Sequence, residues 1–186
     1  MHVQDSCDNF APALLQGCLS PRLQSFGVKS MKNELFPTLN LPPAGLRFRH
    51  EGGHTDVFDV LRSRYVRLTP EEWVRQHFIN FLITTKGYPA GLLGNEVSLR
   101  LNDTARRCDS VLFGRDMRPV MIIEYKAPSV ALTQKVFDQV SRYNIVMRTP
   151  WLVVSNGLQH VCCHLQLDKQ TYEFVREIPH YSDITS

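Results

Sequence analysis

The sequence predicts an α/β fold: a mixed central sheet flanked by helices, in the order helix, three strands, helix, strand, with extra β-hairpins at both ends. Three observations predict it. The run "VMIIEYKAPSV" at residues 120–130 begins as a buried, β-branched strand and ends in two charges. A sharply capped stretch with apolar residues at helical spacing starts after Thr69. Short alternating or apolar runs, bounded by Gly, Pro, Asn and Asp, lie on both sides of these segments.

The chain has 186 residues, 43% of them hydrophobic. No apolar run approaches the roughly 18 residues of a membrane span, so the chain suits one α/β domain with an appended N-terminal segment. No G-x-x-x-x-G-K-[ST] phosphate loop occurs, which leaves no recognisable ATP motor within these residues. A net charge of +3 and a pI near 8.6 are compatible with a polyanionic partner without singling one out.

Cys7, Cys18, Cys108, Cys162 and Cys163 are odd in number and follow no disulfide framework, and the N-terminus lacks the basic-then-apolar pattern of a signal peptide. A reducing cytoplasm is the expected setting. "HVCCH" puts His160, Cys162 and His164 on one strand face, but this spacing is too regular for paired zinc-ligand loops and no fourth ligand is evident. Buried reduced cysteines fit the pattern better.

Taken in order, residues 1–30 show no sustained period and read as a leader or an over-long start, with Met31 opening a segment more like the start of a domain. Residues 31–60 read as a β-hairpin extension, because Gly52-Gly53 separates two alternating runs. The main domain spans 61–186, where "LRSRYVRLTP" connects to the first helix. Thr69 as N-cap, Pro70 at the first helical position and Glu72 three residues after the cap form a capping box. That gives Glu72 a structural task. Val74, Phe78, Phe81 and Leu82 form the apolar stripe, and Glu71 lies in line with it. A first-turn acid such as Glu71 is equally explained by the helix dipole. "EVSLRLN" reads as an alternating strand, "SVALTQKVFDQVSRYNIVM" as a helix, "WLVVSNG" as a short strand closed by a turn, and "LQHVCCHLQLDKQTYEFVREI" as a C-terminal hairpin.

The candidate chemistry lies on the central hairpin. Strand side chains alternate, so Val120, Ile122, Glu124 and Lys126 share one face. Taken alone, such an E-x-K is an ordinary strand rim entering solvent. Upstream, "RRCDSVLFGRDMRP" reads as strand and turn. If Arg115 to Arg118 form a four-residue loop, Gly114 faces Pro119, Phe113 faces Val120, Val111 faces Ile122 and Asp109 faces Glu124. Like charges placed opposite one another destabilise a sheet unless something compensates. A hard divalent cation that takes carboxylate oxygens and keeps several waters is the natural compensation.

These segments resemble a known family. The order of elements, with Asp109 followed by Glu124-Tyr125-Lys126, resembles the PD-(D/E)xK nuclease superfamily. More closely, "PEEWVRQHFINFLITTKGYP", "RRCDSVLF", "IIEYKAP", "FDQVSRYN" and "WLVVSNG" resemble, in the expected order, the N-terminal nuclease domain of type I restriction enzyme R subunits. The resemblance covers about Leu61 to Gly157 and implies a restriction-endonuclease-like core. It further implies that Asp109 and Glu124 hold Mg²⁺, with Mn²⁺ able to substitute, and that the Tyr125 backbone carbonyl is a further ligand. Lys126 would orient and polarise the attacking water or the developing phosphorane charge, and Glu71 matches the acid of the first helix. Gln139 and Tyr143 match a Q-x-x-x-Y motif and would line the DNA-side wall, with Arg106 or Arg107 meeting phosphates. Cys108 stands where the motif's name has proline.

The implied activity is metal-dependent DNA hydrolysis, with duplex DNA as partner and either a homodimer or a separate recruiting subunit. Two other classes remain open: a catalytically silent nuclease-fold module for DNA binding or assembly, and an α/β interaction domain whose acidic hairpin is coincidental.

Overall fold

A computed structural model of the chain describes residues 36–101, 104–138, 141, 148–166 and 171–184. The expected leader, residues 1–30, lies outside the described residues. Strands β1 (Phe48–Glu51), β2 (His54–Asp59) and β3 (Arg64–Arg67) form a three-stranded antiparallel sheet. Helix α1 (Pro70–Thr84) and a single 3-10 turn, Ala90–Leu92, lead into β4 (Leu93–Leu101), β5 (Thr104–Phe113) and β6 (Pro119–Tyr125). Then come the helical residues 134–138, here α2, followed by β7 (Trp151–Ser155), β8 (His160–Gln166), β9 (Thr171–Val175) and the short α3 (Tyr181–Ile184). Strands β4 to β9 make one six-stranded mixed sheet in sequence order.

The expected order of helix, three strands, helix and strand is present, and both terminal hairpins form. Every neighbouring pair in the large sheet is antiparallel except β6 and β7. A parallel pair cannot be joined by a tight turn, and the chain between these strands carries α2. The N-terminal hairpin closes at Gly52 and Gly53, with φ of 58° and 74°, the pair of left-handed residues that a tight turn between twisted strands requires. "LRSRYVRLTP" is more than a connector, because it holds β3. Asp59 shapes the turn before it by accepting hydrogen bonds from the Leu61 and Arg62 amides, both at 2.9 Å.

Helix α1 starts as its cap predicts, with Thr69 Oγ1 accepting from the Glu72 amide at 3.1 Å. Its Val74, Phe78, Ile79 and Leu82 are fully buried against Leu112, Met121, Ile123, Tyr125, Val153 and Cys162. The opposite face of the sheet buries Val111, Ile122, Leu152, Val154 and Cys163 with Phe137 of α2. Covering both faces explains why β6 is apolar at almost every position. Burying each such side chain contributes about 1.5–3 kcal/mol.

The β5–β6 turn corrects one expectation. Gly114 donates to the Arg118 carbonyl at 2.8 Å, so the loop is the three residues Arg115 to Met117, with Met117 left-handed at φ 60°. This is the usual build of a three-residue hairpin loop. Phe113 consequently faces Pro119 rather than Val120, and an irregularity between Leu112 and Phe113 absorbs the offset. Beyond it the expected register is restored, with Val111 opposite Ile122 and Ser110 opposite Ile123.

Candidate active site

Three adjacent strands bring three acids to one level of the sheet. The pairs Val111↔Ile122 and Ser110↔Ile123 carry the count to Asp109 opposite Glu124, one step past the end of the β5–β6 ladder. On the other side, Asn95↔Ser110 and Val97↔Cys108 bracket the position where Glu96 faces Asp109. Counted on from these pairs, Glu96, Asp109 and Glu124 fall at one level across β4, β5 and β6, although neither Glu96 with Asp109 nor Asp109 with Glu124 is itself a ladder pair. Glu96 has a left-handed backbone, φ 57°.

Like charges side by side call for compensating cations, and Lys126, Arg75 and Arg107 supply them. Lys126 Nζ donates to Glu124 Oε1 at 3.0 Å. Arg75, reaching from α1 with a side chain only 5% exposed, contacts three carboxylates: Glu72 Oε2 at 2.5 Å, Glu96 Oε1 at 2.9 Å and Asp109 Oδ1 at 2.8 Å. The Tyr125 amide donates to Asp109 Oδ2 at 2.9 Å, so both oxygens of Asp109 are held. Strand geometry aims the carbonyl of Tyr125 at the same edge as its amide.

The electrostatics follow from burial and proximity. Burial, then the neighbouring charge of Asp109, raises the pKa of Glu124, against the pull of Lys126 and Arg75. Burial works against the charge on Arg75, but Glu72, Asp109 and Glu96 outweigh it and the net shift is upward. Burial, then Glu124 and Asp109, pushes the Cys108 thiol up to about 11. Cys108 is therefore a protonated, buried neighbour of the acids, without the thiolate character of a nucleophile.

The first-helix acid is a correction. Glu71 was expected to face the pocket while Glu72 folded back to cap the helix. The structure reverses this: Glu71 is exposed and Glu72 is buried. The Glu72 carboxylate accepts from Arg62 Nη2 at 3.0 Å and Gln76 Nε2 at 2.8 Å as well as from Arg75. The reason lies outside the helix. The Asp59 turn brings Arg62 to the side of α1 that carries Glu72 and Gln76, and a buried acid is tolerated where cations pair with it. Only the backbone half of the capping box forms as expected.

Arg107, expected at a phosphate, is exposed and ion-paired with Glu96. Gln139 and Tyr143 lie outside the described residues, as does the side chain of Arg106. In the "HVCCH" segment, Cys162 and Cys163 are buried free thiols. His160 bridges Ser155 Oγ at 2.8 Å and the Asn40 carbonyl at 3.1 Å, and His164 stacks on Trp151. Among the described residues, no three His, Cys, Asp or Glu side chains gather as a metal-binding group.

Sequence reasoning missed Arg75 and Glu96. Arg75 carried a signal, a charge inside the apolar stripe between Val74 and Phe78. Glu96 could have been found by the same arithmetic that found Glu124, since Leu101 pairs with Thr104 across a two-residue connection.

Residues 70–179, more than half of the chain, match the family described as type I restriction enzyme R protein N terminus. The chain belongs to that family. The match begins at the first residue of α1 and takes in the whole acidic rung, Arg75 and Lys126, while β1 to β3 precede it. Membership connects this R-protein N-terminal domain with restriction-modification and with nuclease-like chemistry. No curated protein matches the chain. Among the described residues, no helix is long and apolar enough to cross a membrane.

Proposed function

We propose that this domain is a cytoplasmic, Mg²⁺-dependent endodeoxyribonuclease with a restriction-endonuclease-like core, cutting phosphodiester bonds of duplex DNA. The observation that carries the reading is the rung of acids with Lys126 tethered at its end. Counting one step on from Ser110↔Ile123 puts Asp109 opposite Glu124, and burial, then the charge of Asp109, makes Glu124 harder to ionise. Such a pair fits Mg²⁺, which uses one or two carboxylates and retains waters. The Tyr125 carbonyl is the further candidate ligand. When bound, the cation acts as a Lewis acid and lowers the pKa of a water.

The protein's own groups do the rest. Asp109 is immobilised by donors on both oxygens, so its remaining lone pairs are aimed before a ligand arrives. Lys126, 3.0 Å from Glu124, stands where it can orient the attacking water and offset charge on the phosphorane oxygens. Gln139, Tyr143 and Arg106 are assigned to the DNA-side wall. Glu71 is assigned no chemical step, and Glu72 acts through Arg75 instead. These residues carry no phosphate loop, so any ATP-driven translocation belongs to another domain or subunit. Mn²⁺ is expected to substitute.

The second reading, a silent DNA-binding or assembly module, draws on the same contacts: Arg75 and Tyr125 already occupy Asp109. Plasmid nicking with Mg²⁺ or Mn²⁺, with and without EDTA, separates the two. Asp109→Ala, Glu124→Ala and Lys126→Ala should each abolish most cleavage while leaving the far-ultraviolet circular dichroism unchanged. Wild-type protein that binds DNA but leaves duplex and single-stranded DNA uncut at micromolar concentration establishes the silent module.

A further inference from the structure

Glu96 and Arg75 lie outside the D…E-x-K signature, yet both belong to the contacts that hold Asp109. Glu96 adopts a left-handed φ of 57° in the middle of β4. L residues rarely keep that conformation unless their surroundings enforce it, and such residues concentrate at functional sites. Its carboxylate takes Arg75 Nη1 on one oxygen and Arg107 on the other. Arg75 is thus gripped from the helix by Glu72 and from β4 by Glu96, which leaves Nη2 directed at Asp109 Oδ1 at 2.8 Å.

We propose that Arg75 and Glu96 are the positioning pair of this site: Glu96 fixes the guanidinium from β4, and the guanidinium fixes the Asp109 carboxylate for a divalent cation. The inference rests on the reading given under Proposed function. With Oδ1 on Arg75 and Oδ2 on the Tyr125 amide, the Asp109 carboxylate cannot rotate. Each oxygen still keeps a lone pair for a ligand. The planar guanidinium serves Glu72 and Glu96 through one nitrogen and Asp109 through the other, a division that a lysine ammonium cannot reproduce. Hydrogen-bonding partners behind metal ligands commonly set affinity by about 10–100-fold.

The test compares wild type, Glu96→Gln, Glu96→Gly and Arg75→Lys by Mn²⁺ binding (electron paramagnetic resonance), steady-state DNA cleavage and thermal melting. Glu96→Gln and Arg75→Lys are expected to bind Mn²⁺ about 10–100-fold more weakly and to lose kcat with KM for DNA unchanged. Glu96→Gly should melt no lower than Glu96→Gln, because glycine accepts the left-handed backbone, yet bind Mn²⁺ just as weakly. That uncoupling of cation binding from stability is what a merely structural Glu96 would not produce. Should Arg75→Lys fail to fold, Glu96→Gln still decides, being isosteric at a side chain 20% exposed. Folded Glu96 variants with wild-type Mn²⁺ affinity and kcat overturn the pair. A wild-type protein that neither binds Mn²⁺ nor cuts DNA overturns the nuclease reading itself, and this inference with it.

Discussion

Replacing Arg75 by Met removes a buried cation that faces three carboxylates while keeping most of the side chain's volume. Removing one partner of a buried ion pair costs about 3–5 kcal/mol, because the remaining charge stays buried and uncompensated. The contacts place this case at the lower end. Glu72 keeps Arg62 and Gln76, Glu96 keeps Arg107, and Asp109 keeps the Tyr125 amide. About 3 kcal/mol in a domain of this size lowers the melting temperature by roughly 6–12 °C, at about 2–4 °C per kcal/mol. Differential scanning calorimetry at neutral pH reads this directly. Adding Glu96→Gln to Arg75→Met should recover part of the loss, since it removes one of the stranded charges, and a double-mutant cycle gives the coupling. If Arg75→Met melts with wild type, the guanidinium is not the counter-charge of the acidic rung.

Three further outcomes are expected. The pKa of Glu124 is raised in the folded state, so its contribution to stability is fully present below the ordinary carboxylate range and is lost as pH rises through the folded value. Glu124→Gln should flatten the melting temperature over that range, and Mg²⁺ should raise it in wild type but not in the variant; calorimetry with and without the cation checks both. Burial lowers the pKa of both His77 and His160, so the unfolded chain takes up protons first and stability falls as pH drops below the ordinary histidine value of 6.5. A His77→Gln, His160→Gln double variant should lose most of that slope in an acid melting series. Gly157→Ala should cost about 1–3 kcal/mol, seen in urea unfolding, because φ is 81° and an added Cβ would meet Leu39 Cδ2 at 2.7 Å.

Most of the fold was readable because local chemistry decided it. The cap at Thr69, the Gly52-Gly53 turn and the apolar run of β6 each depend on residues close by in sequence. The same held for the β5–β6 register as far as Ser110 and Ile123, which survived a wrong loop length only because an irregularity at Leu112 and Phe113 absorbed the missing residue. What was not readable depended on distant partners. Strand β3 is only four residues long, too short for alternation to separate it from a connector. The choice between Glu71 and Glu72 was made by Arg62, which reaches α1 from a turn shaped by Asp59. Glu96 drew no notice because "EVSLRLN" reads as an ordinary alternating strand, and a single left-handed residue leaves no periodic trace.

The charge network also argues that the small sheet and the acidic rung are energetically one system. Asp59, fully buried on β2, holds Arg62 and accepts from Asn95 Nδ2 at 2.8 Å. Asn95 in turn accepts from Ser110 Oγ, one residue from Asp109. Burial opposes the charge on Asp59, but the Arg62 amide, Asn95 and the Arg62 guanidinium outweigh it and its pKa is lowered. Arg62 then passes to Glu72, Glu72 to Arg75, and Arg75 to Asp109 and Glu96. One hydrogen-bonded route therefore runs from β2 through the helix to Asp109 and Glu96, and a second runs through β4 to Ser110, the chain neighbour of Asp109. Buried networks of this kind rigidify a site in proportion to how fully their members are satisfied; here both terminal nitrogens of Arg75 are paired, while its buried Nε has no partner among the described residues. The family match begins at Pro70, but the chain of contacts that orients Asp109 begins eleven residues earlier, at Asp59. The small sheet thus supplies part of the order on which the candidate site depends.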